Sequence, residues 1–407
     1  MSTFRKIIIG FGLLVFVGAG AFGIYYVFFR GAPAEPGPGT NVNAPLGPGG
    51  ELVPSGPAGE RPVVPPAAPG AGLPGASPIA RGGLTLSPTL VATPTLGATP
   101  GGDGQSVHLY DRQSGRFLKV FADGRVSELS NTAFPDVSEV TWSDDGSHAI
   151  LEFPDGAKLS YDFNTQRQAT IPPSWNDFSF SPDSGSIAAK AMGDTAEQNW
   201  LVVSDADGSN ATFIEPLGEN GGKVRVDWSP TGEVVAMSQT GNESAPGSKE
   251  VLFIGANGEN FRSLTVRGLG FMPKWSPDGE RMLFSAAAPE DDYRPRLWIS
   301  NARGENIGFG KRSFDLFTTA EKCAFAGTDA IYCAVPDAVP AGAGLSPETL
   351  VGVPDTVYRV NLSTGAVTAV GRPDSDTSME RLSVSADGAT LFFVDQLNGN
   401  LKKMQLR

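Results

Sequence analysis

One phrase, written repeatedly, constrains this chain more than any other feature. It reads VTWSDDGSHAILEF from 140, FSFSPDSGSIAAKA from 178, VDWSPTGEVVAMSQ from 226, KWSPDGERMLFSA from 274 and LSVSADGATLFFVD from 382. A weaker copy, KCAFAGTDAIYCAV, begins at 322. Recurrence at a near-fixed period sets the architecture before any local feature does.

The phrase has a physical grammar. Ser276, Pro277 and Gly279 suit the first, second and fourth positions of a type I turn followed by a left-handed residue. Pro fixes the backbone angle of its position, and Gly accepts positive φ without a Cβ clash. Such a turn joins two antiparallel strands, so each copy predicts a β-hairpin. A further strand pair follows several copies, as in NWLVVSDADGSNATFIE at 199–215, EVLFIGANGENFRSLTV at 250–266 and PRLWISNARGENIGFG at 295–310. The unit is a four-stranded meander. Its equivalent positions 142, 180, 228, 275, 325 and 384 recur at spacings of about 40–60 residues, near the ~40–50 of propeller blades. A long amphipathic helix pattern is missing. The expected fold class is all-β, a β-propeller of four-stranded blades.

The W-S-P-D-G phrase, with an apolar strand and a D-x-D-G-like turn at Asp205, Asp207 and Gly208, resembles the propeller repeats of TolB-type bacterial proteins. WD40-like repeat descriptions cover the same pattern. The resemblance spans 105–407 and implies a module for protein–protein interaction in the cell envelope; a fold alone does not imply an activity. Gly327 and Thr328 replace Pro-Asp in the fifth copy, and Ala386 replaces Pro in the sixth. Three strands expected at 106–130 and three more at 381–385, 390–395 and 400–406 nearly fill two blades. Seven blades are expected, with six the alternative in which these terminal strands share one.

The rest of the chain divides by composition. Residues 7–29, IIIGFGLLVFVGAGAFGIYYVFF, run uncharged for 23 positions, long enough to span a bilayer. The run outlasts a signal-peptide core, although Ala-Gly-Ala at 19–21 offers small residues. Arg5 and Lys6 precede it, so the expectation is a signal anchor with residues 1–6 as a cytoplasmic tail and the propeller outside. The localisation expected is a single-pass cell-membrane protein. Residues 30–104 are rich in Pro, Gly and Ala with few charges and read as a disordered linker. Its end, LTLSPTLVATPTLGATP at 84–100, reads as plain linker or as a site for O-glycans.

Charge restricts partners. The first 105 residues sum to about +1, so the net charge of −13 resides in the propeller. An acidic surface without a basic stripe repels phosphate backbones, which argues against nucleic acid. The expected partners are the membrane, through 7–29, and an envelope or surface protein.

Chemistry is sparse. No G-x-S-x-G elbow occurs, and the two histidines, His108 and His148, have no partner at metal-ligand spacing. His148 reads as a solvent-facing turn residue and His108 as an isolated strand residue. Asp145, Asp183, Asp278 and Asp387 fall in the repeated turns, where turn formation is role enough. Asp205-Ala206-Asp207-Gly208 opens like a calcium loop but lacks the remaining ligands. No catalytic, cofactor or metal residue is assigned. The expectation is a non-enzymatic binding module for a protein or other ligand. A propeller glycosidase or carbohydrate-binding protein acting on envelope glycans is the alternative, although only Ser181, Asp183 and Gly185 fit an Asp-box spacing. The two cysteines, Cys323 and Cys333, flank the fifth hairpin turn. A three-residue loop at 327–329 would put them opposite one another, and a disulfide between them is expected in an oxidising compartment.

Overall fold

The structure, a computed structural model, describes residues 75–407 apart from Asn260. The expected cytoplasmic tail 1–6 and signal anchor 7–29, and the expected linker up to residue 74, lie outside the described residues. Among the described residues no helix is long and apolar enough to cross a membrane.

Seven separate sheets make up the described chain. In sequence order they cover 95–128, 139–171, 175–216, 224–267, 269–317, 323–373 and 379–405, and we number them blades 1 to 7. Each is an antiparallel meander whose first strand is innermost. The repeated phrase is the hairpin between the first two strands, and its serine explains why it recurs. Ser276 Oγ accepts the amide of Arg281 at 2.9 Å and donates to Asp278, which in turn accepts the amide of Glu280 at 3.1 Å. The same serine-to-amide bond closes the turns at Ser143, Ser181, Ser229 and Ser385, at 2.9–3.0 Å. Gly279 takes the left-handed position at φ 67°, as the turn requires. The turn aspartates are therefore structural hydrogen-bond acceptors in every copy that has one.

Blade count and boundary follow from the N-terminal strands. Strand β1 (Leu84–Thr85) adds in parallel to the outer edge of blade 6. Strand β2 (Thr89–Val91) becomes the outer strand of blade 7. Strand β3 (Thr95–Pro100) is the innermost strand of blade 1. The segment 84–100, expected to be linker, is thus part of the propeller, and the boundary at 104/105 is corrected to a point before residue 84. Its Pro and Gly content hid strands that obtain their burial from distant partners: Thr85 is fully buried, and Ser87 bonds Asp374 through both its amide and its hydroxyl. Both readings of that segment, bare linker and glycan-bearing linker, give way to this one.

Seven apolar clusters seal the seven junctions between neighbouring blades. The junction of blades 7 and 1, where the ring closes, contains Val91, Ala98, Leu109, Val120, Phe392 and Leu401. The junction of blades 5 and 6 contains Cys323 and Cys333 among Leu283, Ile299, Phe314 and Val360. Cys323 lies opposite Cys333 and Ala326 opposite Ala330, the register that the three-residue turn demands. The two sulfurs are bonded, and both cysteines are wholly buried.

Reduction is expected to destabilise this blade by no more than roughly 2–3 kcal/mol, because the loop closed is short. Burial makes the exchange slow until the protein opens. Mass spectrometry of the unreduced protein should give one peptide pair joined at Cys323 and Cys333. Two thiols that alkylate without denaturant would refute the bridge.

Candidate functional site

The direction of the innermost strands defines two faces. Each such strand ends at its W-S-P-D-G-type turn, so these turns crowd one face, and the loops that enter the blades crowd the other. Five insertions fall on the loop face: 192–199, 217–223, 239–247, 288–294 and 337–354, the last being the longest among the described residues. They also touch one another. Gly342 and Gly344 donate their amides to the carbonyls of Asp292 and Tyr293, each at 2.8 Å, and Arg294 Nε reaches the carbonyl of Val339 at 2.9 Å. The 337–354 loop of blade 6 therefore lies on the 288–294 loop of blade 5. A Cβ at Gly344 would stand 2.3 Å from the Ala287 Cβ, so this close approach requires glycine. At its far end Gly352 meets the Leu397 side chain of blade 7.

Between the faces runs a channel whose wall is set by strand alternation. Val140, Phe178, Val226, Cys323 and Leu382 point into the blade junctions and are buried. The alternate positions, Glu139, Asp177, Arg225, Asp227, Lys274, Lys322 and Arg381, turn towards the axis. Some are spent in the fold. Lys190 pairs with Asp177 at 2.9 Å, and Asp177 also accepts the amide of Val226 at 3.0 Å, which ties blade 3 to blade 4. Lys322 pairs with the wholly buried Asp355 at 2.7 Å, and Lys274 donates to the carbonyl of Cys323. Glu139 and Arg381 have no hydrogen-bond or ion-pair partner among the described residues.

Dehydration of the wall perturbs these groups. Burial pushes the Asp227 carboxyl up to about 7, and it pulls Lys274 down to about 8 with help from the charge of Arg381. Burial also raises Glu139, with the Glu152 charge adding to it. Asp227 and Lys274 nevertheless keep some surface open to water. They are surrounded by protein without being sealed, as expected in a narrow channel. Asp177 and Arg381 hold positive φ, 58° and 50°, at bulges of their strands, a costly conformation for side chains of this size.

A cleft of about 680 Å³ opens between blades 2 and 3 on the turn face, lined by Asp145, Asp162, Asp183, Asp205 and Asp207 with His148 and Arg167. Its carboxylates are held by donors of their own turns. Asp207 accepts the amide and hydroxyl of Ser209, and Asp205 accepts from Asn210 at 2.7 Å. The calcium-like run at 205–208 is thus a hairpin turn, with Gly208 at φ 82°. Among the described residues no three His, Cys, Asp or Glu side chains are grouped to hold a metal.

His108 is the isolated strand residue expected, whereas His148 sits differently. His148 is the first residue of the second strand of blade 2 and is half-buried rather than solvent-facing. Its Nδ1 lies 2.8 Å from Ser147 Oγ, and Asp162 is 3.8 Å from Nε2. The Ser147 proton goes to Asp145 at 2.7 Å, so the imidazole is not placed to receive it.

His108 is buried in blade 1 beneath the blade 2 turn and tilts against Trp142, with ring centroids 5.7 Å apart. Neither ring nitrogen has a partner among the described residues, and the adjacent Gly146 amide is committed to Ser143. Burial, with a smaller contribution from the Lys119 charge, lowers its pKa from 6.5 to about 4. An unfolded chain binds this proton near 6.5 and the folded one only near 4. Stability from this group is therefore complete above 6.5 and is lost as the pH falls through that window, by about 3 kcal/mol. Melting temperatures of wild type and His108→Gln, measured between pH 7 and 4, should diverge in slope, with the wild type steeper. Parallel slopes would show that His108 takes up its proton without cost.

No known family model matches this chain. No curated protein matches it in sequence. Solved structures do. The β-propeller domain of Myceliophteria thermophila Cps50 (Swd1) superposes with a TM-score of 0.54 at 12% identity, covering 79% of this chain and 100% of that one. This chain is a seven-bladed β-propeller. Kuenenia stuttgartiensis hydrazine synthase matches with a TM-score of 0.49 at 13% identity over 77% of this chain and 96% of the other. The tricorn protease gives 0.48 at 9% over 78% and 34%. At such identities the likeness concerns the fold alone.

Sequence reasoning missed the innermost strand of blade 1 and the channel charges. The first had a signal: Asp103-Gly104, followed by SVHLYD, repeats the turn and its apolar strand, and Asp103 accepts the amides of Gln105 and Ser106. The second was visible as charge one residue before the aromatic, at Asp227 and Lys274.

Proposed function

We propose that this chain is a non-enzymatic protein-binding module, tethered to the cell membrane by residues 7–29 and displayed outside the cytoplasm in the cell envelope. The observation that carries the binding role is the meeting of the longest insertion, 337–354, with the 288–294 loop on one face of a rigid ring. Loops grafted on a stiff scaffold are where propellers differ from one another, and loops carry function more often than the strands beneath them. The non-enzymatic part is supported by the turn carboxylates, which a glycosidase reading would need and which are held by hydroxyl and amide donors of their own turns. The tether is supported by the uncharged run at 7–29 behind Arg5 and Lys6.

Two measurements test this. A reporter fused after Arg407 is expected to be active only outside the cytoplasm; activity on the cytoplasmic side, or a mature N-terminus near residue 22, would overturn the anchor. Affinity capture with the full chain, wild type against a variant with the 337–354 loop shortened, should show one envelope protein lost from the variant. Hydrolysis of envelope glycans by the purified chain would replace the binding reading with the enzymatic one.

A further inference from the structure

Resting on that reading, we propose that the binding surface is an apolar belt across blades 5 to 7 and that it receives a basic, amphipathic segment of another protein. The belt is made of Leu269 and Tyr293 from blade 5, Leu345 and Val351 from the 337–354 loop, and Leu397 from blade 7. These residues are between 36% and 63% exposed. The hydrogen bonds from Gly342 and Gly344 place the loop against Tyr293, and the contact of Gly352 with Leu397 carries it to blade 7. The other large apolar side chains exposed among the described residues lie elsewhere and apart. Val126, Phe213 and Val367 are on outer strands, Leu84 and Leu86 are in the N-terminal segment, and Phe309 sits on the turn face under Arg262. Single exposed leucines are ordinary; a contiguous set on the order of a few hundred Å² marks a contact surface.

The surrounding charge selects the partner. Each cation bordering the belt is already paired: Arg267 with Glu290, Arg294 with Asp292, Arg296 with Asp291, Lys322 with Asp355, and Arg372 with Asp337 and Asp376. Glu348, between Leu345 and Val351, has no partner among the described residues. Asp292 and Asp376 keep 66% and 80% of their side chains exposed despite their pairing. The belt thus lies in a negative field, and Arg381 of blade 7, which has no partner among the described residues, turns towards the channel instead. A second copy of this chain brings a net charge of −13 and is repelled, as is an anionic lipid surface. A segment that alternates Lys or Arg with apolar residues satisfies both the belt and its rim.

The test uses the purified full-length chain and a synthetic Lys/Leu amphipathic peptide, with its Glu/Leu counterpart as control. Fluorescence anisotropy should show the Lys/Leu peptide binding at least tenfold more tightly than the Glu/Leu peptide. Leu345→Asp and Leu397→Asp should each weaken it tenfold or more, whereas Phe309→Asp on the opposite face should not. All three positions are exposed, and melting temperatures confirm that the variants stay folded. Binding that is equal in the belt and control variants overturns the belt and leaves the binding-module reading standing. A dimer, or binding to phosphatidylcholine vesicles, that is lost in the two belt variants assigns the surface to a second copy or a membrane and overturns the basic partner.

Discussion

A chain that starts at residue 105 is expected to fail to close, whereas one that starts at residue 75 should fold and melt in one transition. The shorter chain loses β3, the innermost strand of blade 1, and β2, the outer strand of blade 7. It also loses Val91 and Ala98 from the apolar junction that seals blade 7 to blade 1. The ring closure depends on those same residues: Thr95 bonds the carbonyl of Gly399, and Ala386 bonds that of Gly104. Removing both strands exposes two unpaired sheet edges and the apolar face between them. Folded domains are stable by only about 5–15 kcal/mol, so a loss of this kind is comparable with the whole. Exposed edges additionally favour association with other chains. The two fragments should therefore differ in circular-dichroism melting and in gel filtration, the shorter one running as aggregate or as an expanded species. Limited proteolysis of the full chain should leave a protected fragment whose N-terminus lies before residue 84. A cooperative, monomeric 105–407 fragment would show that blades 7 and 1 close without these strands.

That boundary marks how far the sequence could be read. The repeated hairpins were legible because turn, strand and aromatic recur together within about a dozen residues. The Cys323–Cys333 register was legible because a three-residue turn fixes which residues face each other. Strands β1 and β2 were not, because nothing local marks them. Leu84–Thr85 and Thr89–Val91 are two- and three-residue pieces whose partners lie about 290–310 positions away. Their Pro- and Gly-rich setting reads as linker until the partner strands are known. The channel charges were legible as residues but not as a group, since Glu139, Asp227, Lys274 and Arg381 come from four blades. The belt was not legible, because the meeting of its insertions over blades 5 to 7 depends on contacts such as Gly344 on Ala287. The burial of His108 was invisible for the same reason, since what covers it is a turn from the next blade.

The equivalent aromatics of the repeat should not cost the same to remove, although their sequence positions are the same. Trp275 is 8% exposed, packs edge-on against Phe253 of the preceding blade at 6.1 Å, and aims its indole N–H at the carbonyl of Asp227, 3.4 Å away. It is part of the junction of blades 4 and 5, with Met282, Phe284 and Leu264. Trp275→Ala is therefore expected to cost about 3–5 kcal/mol, the range for truncating a buried large aromatic side chain. Trp228 is only half-buried at the edge of the junction of blades 3 and 4, and its indole N–H bonds the carbonyl of Gly232 in its own turn, at 3.2 Å, so that bond ties no blade to another. Trp228→Ala should cost about half as much, because less apolar surface leaves the interior. Trp142 is also half-buried but donates to the carbonyl of Gly97 in blade 1 at 2.7 Å and stacks on Phe163. Trp142→Phe should keep most of the packing and lose the inter-blade bond, at about 1 kcal/mol. Denaturant titration of the three variants gives the order directly. Equal losses for Trp228→Ala and Trp275→Ala would mean that the turn, not the junction between blades, is what these residues hold together. A near-wild-type Trp275→Ala would mean that the junction of blades 4 and 5 is not the packed interface described.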